Sequence, residues 1–181
     1  MTPDAAANPP SSHLILRTAA PADRPALSAL SAAARARYRT LPGFAAIAAA
    51  PPVAPERFAD GEALVAYRAD DPAPLGFALL RPLDGLLYLD NISVAADASG
   101  QGIGRALLAG VERRRAALGL PAVTLTTFRA PPWNGPWFRR QGFRPLPAER
   151  IGPGLAAVIA RQSRSLDPAT REVLWRVAEG L

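Results

Sequence analysis

Three glycines fall within five positions, Gly100, Gly102 and Gly104, in the stretch SVAADASGQGIGRALL that runs from Ser93 to Leu108. Glycine loses more conformational freedom on folding than any other residue, so such a cluster implies a demand made on the backbone itself. Ahead of it, LLYLDNISV has the apolar pattern of a strand; behind it, RALLAGVERRRAAL has helical spacing. Strand, glycine loop and helix in that order set successive backbone N–H groups at the positive end of a helix dipole, a surface that binds phosphate. Glycines also serve tight turns and close helix-to-strand packing, and the loop alone leaves both readings open.

The rest of the chain reads as a continuous α/β series with no repeat and no low-complexity linker. LILRTA is a strand, and the segment after it predicts a helix with Asp23 at its N-cap and Leu27, Leu30 and Ala34 on one face. A short helix before Pro51 and Pro52 is expected next. EALVAYRA and PLGFALLRPL, separated by DDPAP, predict an antiparallel pair, and Asp84-Gly85 turns the chain into the strand LLYLDNISV. In the helix behind the glycines, Ile103, Leu107, Val111 and Leu118 form the apolar face and Glu112 to Arg115 are expected to face water, with Gly119 and Pro121 as stops. AVTLTTF is a strand, PWFRRQ a short helix closed by Gly142, FRPL a strand stub and PGLAAVIARQSRSL a helix. REVLWRV alternates as a final strand, with helix the competing assignment.

Composition narrows the chemistry. Of 181 residues 49% are hydrophobic, yet no apolar run approaches the roughly 20 residues of a membrane span. The chain has no Cys, one His and no Lys, which excludes thiol nucleophiles, disulfides, Schiff bases and most structural zinc sites. No metal site is expected. Without lysine a Walker A loop is impossible, and a dinucleotide fingerprint wants a different glycine spacing and an acid about 20 residues on. A methionine-nucleotide methyltransferase also uses G-x-G-x-G, but after the first strand, whereas several strands precede it here. The net charge of +6 attracts phosphates at long range, but no nucleic-acid-binding pattern accompanies it. MTPDAAANPPSSH lacks a signal-peptide pattern and reads as a flexible tail.

The loop resembles the signature of the Gcn5-related N-acetyltransferases (GNAT), Gln/Arg-x-x-Gly-x-Gly/Ala between a central strand and a helix, with Ser99, Gly100, Gln101, Gly102, Ile103 and Gly104 at its six positions. The similarity extends from the opening ILRTAAPADRPALSAL through LYLDNISV to WNGPWFRRQGF, roughly Leu14 to Phe143. It implies an α/β fold with a mixed, mostly antiparallel central sheet flanked by helices and a V-shaped splay between the central strands. It further implies a tail over residues 1–12, one acetyltransferase domain over residues 13–181, a cytoplasmic location and acetyl-CoA as cosubstrate, with an amine attacking the thioester directly.

By the same resemblance, the pyrophosphate of acetyl-CoA lies on the amides of Gly100 to Arg105, and its pantetheine arm pairs with the backbone of Ile92, Ser93 and Val94. Asp90 becomes the candidate general base, with a hydrogen-bonded or ion-paired strand-end role as the alternative. Tyr88 shares its side-chain parity and serves either the cleft or packing. Asn134 either bonds the CoA arm or caps the helix ahead of Pro136. Trp133, Trp137 and Tyr38 line an acceptor pocket or belong to the core. Arg113 to Arg115, Arg139, Arg140 and Arg144 meet the 3′-phosphate of CoA or form a solvated face.

Two positions depart from the family pattern. Ser99 stands where a Gln or Arg is usual, and Phe138 stands where many members carry the Tyr that protonates the leaving thiolate. The acceptor is expected to be a small-molecule amine or a polypeptide amine, and a homodimer is left open. The competing function is an acyl-CoA-binding module of the same fold with weakened catalysis.

Overall fold

The structure is a computed structural model that describes residues 13–178; the tail expected over residues 1–12 lies outside them. Seven strands form one sheet in the order β1-β2-β3-β4-β5-β7-β6. They are β1 (Leu14–Thr18), β2 (Glu62–Arg68), β3 (Asp71–Leu83), β4 (Leu86–Val94), β5 (Ala122–Phe128), β6 (Arg144–Pro145) and β7 (Arg171–Val177). Every pairing is antiparallel except β4 with β5, which the helix α3 (Ile103–Ala117) connects by a crossover. The final segment is a strand, as its alternation predicts, inserted between β5 and β6.

Local chemistry explains the long β3–β4 hairpin. Asp84 and Gly85 take φ of 51° and 76°, the positive pair of a type I′ turn whose twist matches that of the strands. The Asp84 carboxylate also accepts the amides of Gly154 and Leu155, at 2.9 and 2.7 Å, and so caps α5 (Pro153–Gln162) from a distant hairpin.

Alternation then assigns the two faces. Leu80, Leu87 and Leu89 point to the side covered by α3, where Ile103, Leu107, Leu108 and Val111 meet them, together with Phe138 from α4 (Gly135–Arg140). On the other face α1 (Arg24–Ala34) buries Leu27 and Leu30 against Val65, Phe77 and Leu79, and α5 buries Leu155 and Val158 against Tyr88. The helix expected before Pro51 is a single turn, α2 (Ala45–Ala48). No helix among the described residues is long and apolar enough to cross a membrane.

Two expectations need correction and a third holds in part. Leu118 is the C-cap of α3 and exposed, because the apolar stripe of that helix ends at Val111. Glu112 to Arg115 do not simply face water: Glu112 pairs with Arg115 and with Arg176 of β7, and Arg114 with Glu62. Asp23 takes the N-cap position of α1 as expected, but its side chain makes no capping bond into that helix. Its carboxylate reaches back to the Ala20 amide at 2.7 Å and accepts from Arg17 at 2.7 and 3.0 Å and from Tyr67 at 3.1 Å.

The Arg17 guanidinium, helped by the Ala20 amide and the Tyr67 hydroxyl, holds the Asp23 carboxyl down at about 2. A depressed carboxyl adds stability that is complete above its unfolded value near pH 4 and is lost as pH falls through the folded value. Solvent exposure of Arg17 limits that contribution to about 1 kcal/mol. Denaturation of wild type and Asp23→Asn at pH 7 and pH 2 should therefore differ at pH 7 and converge at pH 2; an equal gap at both pH values contradicts the assignment.

Candidate active site

The parallel pairing of β4 with β5 covers only Leu87 with Val123 and Tyr88 with Thr124. One residue further on, the β3–β4 register shifts: Leu80 faces Leu89 and Leu79 faces Asn91, which leaves Asp90 as the extra residue of a bulge. Beyond Tyr88 the two strands part, and a cavity of about 600 Å³ opens between them. Leu89 to Val94 form one wall and Leu125 to Phe128 the other, so the β4 edge that faces β5 has no strand partner there.

The glycine loop closes one end of this cavity. Ser99, Gly100, Gly102, Ile103, Gly104 and Arg105 all line it. Gly100 and Gly102 have φ of 80° and 83°, and an added Cβ at either would meet nothing within 4 Å, so the backbone lies open where the helix begins. Gly102 is the N-cap of α3, with no side-chain cap, and its carbonyl takes the amide of Ala106. The amides of Ile103 to Arg105 thus belong to the first turn, which has no intrahelical acceptors. Gly104 serves packing instead: its Cβ would stand 3.3 Å from the Trp137 ring. Gln101 departs from the rest, since it does not line the cavity and its side chain bonds Asp97 and Arg68.

Asp90 lines the cavity with its side chain only 7% exposed. Arg57 donates to Oδ2 at 2.5 Å, while Oδ1 is buried with no hydrogen-bond partner. The ion-paired role is therefore realised, and one acceptor oxygen is left over beside the cavity. Tyr88 is fully buried and bonds Thr126 at 3.1 Å, so it packs beneath the wall. Burial pushes its phenol up.

Ile92 and Val94 turn their side chains to the α3 core, and Ser93 donates to Asn91 Oδ1 at 2.8 Å. Asn134 begins α4 without a side-chain cap bond; it accepts from the Tyr38 hydroxyl at 2.6 Å and donates to Thr127 at 3.2 Å. Phe138 lines the cavity wedged between Trp137 and Phe143, with no hydroxyl to offer. Tyr38, Trp133 and Trp137 line it too.

The clustered arginines lie outside the cavity lining. None of Arg113 to Arg115, Arg139, Arg140 or Arg144 lines the cavity, and Arg139 pairs with the buried Glu172. Arg35, Arg37 and Arg171 do line it, as does Thr126. Sequence reasoning missed these because the turn after α1 and the start of β7 approach the cavity only in three dimensions. It missed Arg57 for the same reason.

Compared with known proteins, residues 59–145 match the family model described as an acetyltransferase (GNAT) domain. That span runs from the end of the segment before β2 through β6 and contains both cavity walls and the glycine loop. Just under half of the chain is thus similar to a GNAT acetyltransferase domain. Its fold is similar to that of the PaiA N-acetyltransferase from Thermoplasma acidophilum, solved in complex with coenzyme A, at 12% identity and a TM-score of 0.67, over 92% of this chain and 99% of that one. The ribosomal-protein-S18-alanine N-acetyltransferase from Escherichia coli matches at 16% identity and a TM-score of 0.63, over 93% and 99% of the two chains. A GNAT-family acetyltransferase from Staphylococcus aureus Mu50 matches at 12% identity and a TM-score of 0.67, over 91% and 99%. The mixed sheet and its splay are thus the GNAT architecture.

The Arg57–Asp90 pair can be tested apart from any reaction. Arg57→Ala leaves a nearly enclosed carboxylate without its partner and should cost about 1–3 kcal/mol in denaturant unfolding. Adding Asp90→Asn to it should recover part of that loss; additive losses in the double variant would contradict the pairing.

Proposed function

We propose that this chain, acting as one acetyltransferase domain, binds acetyl-CoA between β4 and β5 and transfers its acetyl group to a primary amine. The observation that carries this reading is the meeting of two backbone surfaces on one cavity. The edge of β4 past Tyr88 has no strand partner, and the open loop at Gly100 and Gly102 ends the same strand. An extended amide-bearing arm fits the first, as an added strand, and a pyrophosphate fits the second. The neighbour from Thermoplasma, of the same fold, holds coenzyme A, which supports the choice of ligand.

Acetyl-CoA supplies an activated thioester. In this reading the backbone of Ile92, Ser93 and Val94 holds the pantetheine arm, and the amides of Gly100 to Arg105 hold the pyrophosphate, with the Arg105 charge beside them. Ser99 offers only a short hydroxyl where longer polar side chains are usual, so the backbone amides do most of the holding. Asp90 Oδ1, buried and unpartnered, accepts an N–H of the incoming amine and takes up its proton directly or through water. The new N–C bond forms as the C–S bond breaks, and CoA leaves as thiolate. Phe138 donates no proton to it, but a thiol with a pKa of about 8.5 is a tolerable leaving group. Asn134, held between Tyr38 and Thr127, completes the wall around the arm.

A thermal melt tests the ligand assignment. Acetyl-CoA and CoA at 100 times their dissociation constants should each add about 2.7 kcal/mol, while S-adenosylmethionine and NAD should add nothing. Thiol release from acetyl-CoA with an amine panel then separates an enzyme from a binding module, and a chain with no Cys gives no background. Asp90→Asn should retain the acetyl-CoA shift and lose about 10²–10⁴-fold in kcat/KM. Unchanged turnover would remove Asp90 from the chemistry.

A further inference from the structure

The cavity lining carries an unbalanced charge. Arg35, Arg37 and Arg171 line it, and among the described residues none of the three has a carboxylate within 4.0 Å. The one acid in the lining, Asp90, is already matched by Arg57. Arginine cannot shed its charge when buried, so each such guanidinium keeps a desolvation cost that only an anion or good hydrogen bonds can offset. Burial pushes the Arg37 and Arg171 guanidiniums down.

Their donors are only partly used. Arg171 gives one terminal nitrogen to Thr126 and Gln162, at 3.2 and 3.1 Å, while its Nε is buried with no partner. Arg37 spends its Nε on the Ala34 carbonyl and leaves the guanidinium fork over Trp133, 5.4 Å from the ring centre. Trp133 Nε1 is itself a buried donor without an acceptor. Arg35 differs, since Ala50 and Pro51 carbonyls take its donors.

Aromatic packing brings these donors into one neighbourhood. Tyr38 stacks edge-on against Trp133 and Phe128, at 5.4 and 5.8 Å between ring centres. Arg37 lies over the first of those rings, and Arg171 over the second at 4.5 Å. Two cationic forks thus flank Tyr38, with an orphan indole N–H beside one of them. The orphan acceptor Asp90 Oδ1 lies in the same cavity. An ammonium matches the acceptor, and a planar two-oxygen anion matches the forks, because guanidinium binds carboxylate through two parallel hydrogen bonds.

We propose that the acceptor substrate is a small amine that also carries a carboxylate, read by Arg37 and Arg171, with Trp133 Nε1 as a further donor. This rests on the acetyl-transfer reading above and adds the substrate class. Arg37 and Arg171 are specificity-determining residues in it, distinct from Asp90.

The test measures thiol release from acetyl-CoA with amino acids, each beside its decarboxylated amine and its aminophosphonate counterpart. At least one amino acid should exceed its decarboxylated partner in kcat/KM by about tenfold or more, the scale of a charge-assisted hydrogen bond. Arg37→Gln should collapse that ratio through the KM of the amino acid, and Arg171→Gln should do the same. A merely structural role would slow both amines alike and leave the ratio intact. Decarboxylated amines that match the amino acids, or an unchanged ratio in Arg37→Gln, overturns the proposal; preference for the aminophosphonates overturns the carboxylate assignment. A parallel melt with amino acids alone reads the anion site without turnover. If acetyl-CoA gives no shift but an amino acid does, and Arg37→Gln abolishes it, the acetyl-transfer reading fails while the anion site stands.

Discussion

The parting of β4 from β5 after Tyr88 is the constraint on which the rest of the site depends. A sheet normally satisfies backbone groups strand to strand, and leaving an interior edge without a partner is costly unless something else can occupy it. Two features hold the gap open. The bulge at Asp90 bends β4 away, and β5 keeps its full antiparallel register with β7, from Ala122 with Val177 to Phe128 with Arg171, so it does not follow. Aromatic side chains from the segment after α1, from α4 and from the loop after β5 then line the gap without filling it.

The crossover from β4 to β5 puts the glycine loop where it is needed. A parallel pair requires a long connection, here α3, and the loop that begins it sits at the C-terminal end of β4, beside the mouth of the splay. Gly100 and Gly102 keep the backbone exposed there, while Gly104 lets the helix settle against Trp137. The packing reading of the glycines is therefore realised at Gly104, while Gly100 and Gly102 leave the backbone of the same loop open.

Much of this was legible in the sequence because it is local. Strand alternation, the Asp84-Gly85 turn and the Gly119 and Gly142 stops each act within a few residues, and the elements fall where those signals put them. The glycine spacing and its flanks carried the resemblance that led to the fold. What escaped was set by partners distant in the chain. Glu112 meets Arg176 across 64 positions, Arg57 meets Asp90 across 33, and Asp84 caps a helix 70 residues on. The bulge that isolates Asp90 leaves no mark in LLYLDNISV, and nothing in the spacing of the arginines tells that Arg114, Arg115 and Arg139 pair with carboxylates while Arg35, Arg37 and Arg171 reach the cavity.

The most direct measurement of the central claim is amide hydrogen exchange of the protein with and without coenzyme A. The account predicts new protection in two separated stretches, Ile92 to Val94 and Gly100 to Arg105, with little change in β1, β2 and α5. Ligand-dependent protection that misses both stretches, or that spreads evenly over the sheet, would contradict the assignment of the splayed strand edge and the glycine loop to one ligand.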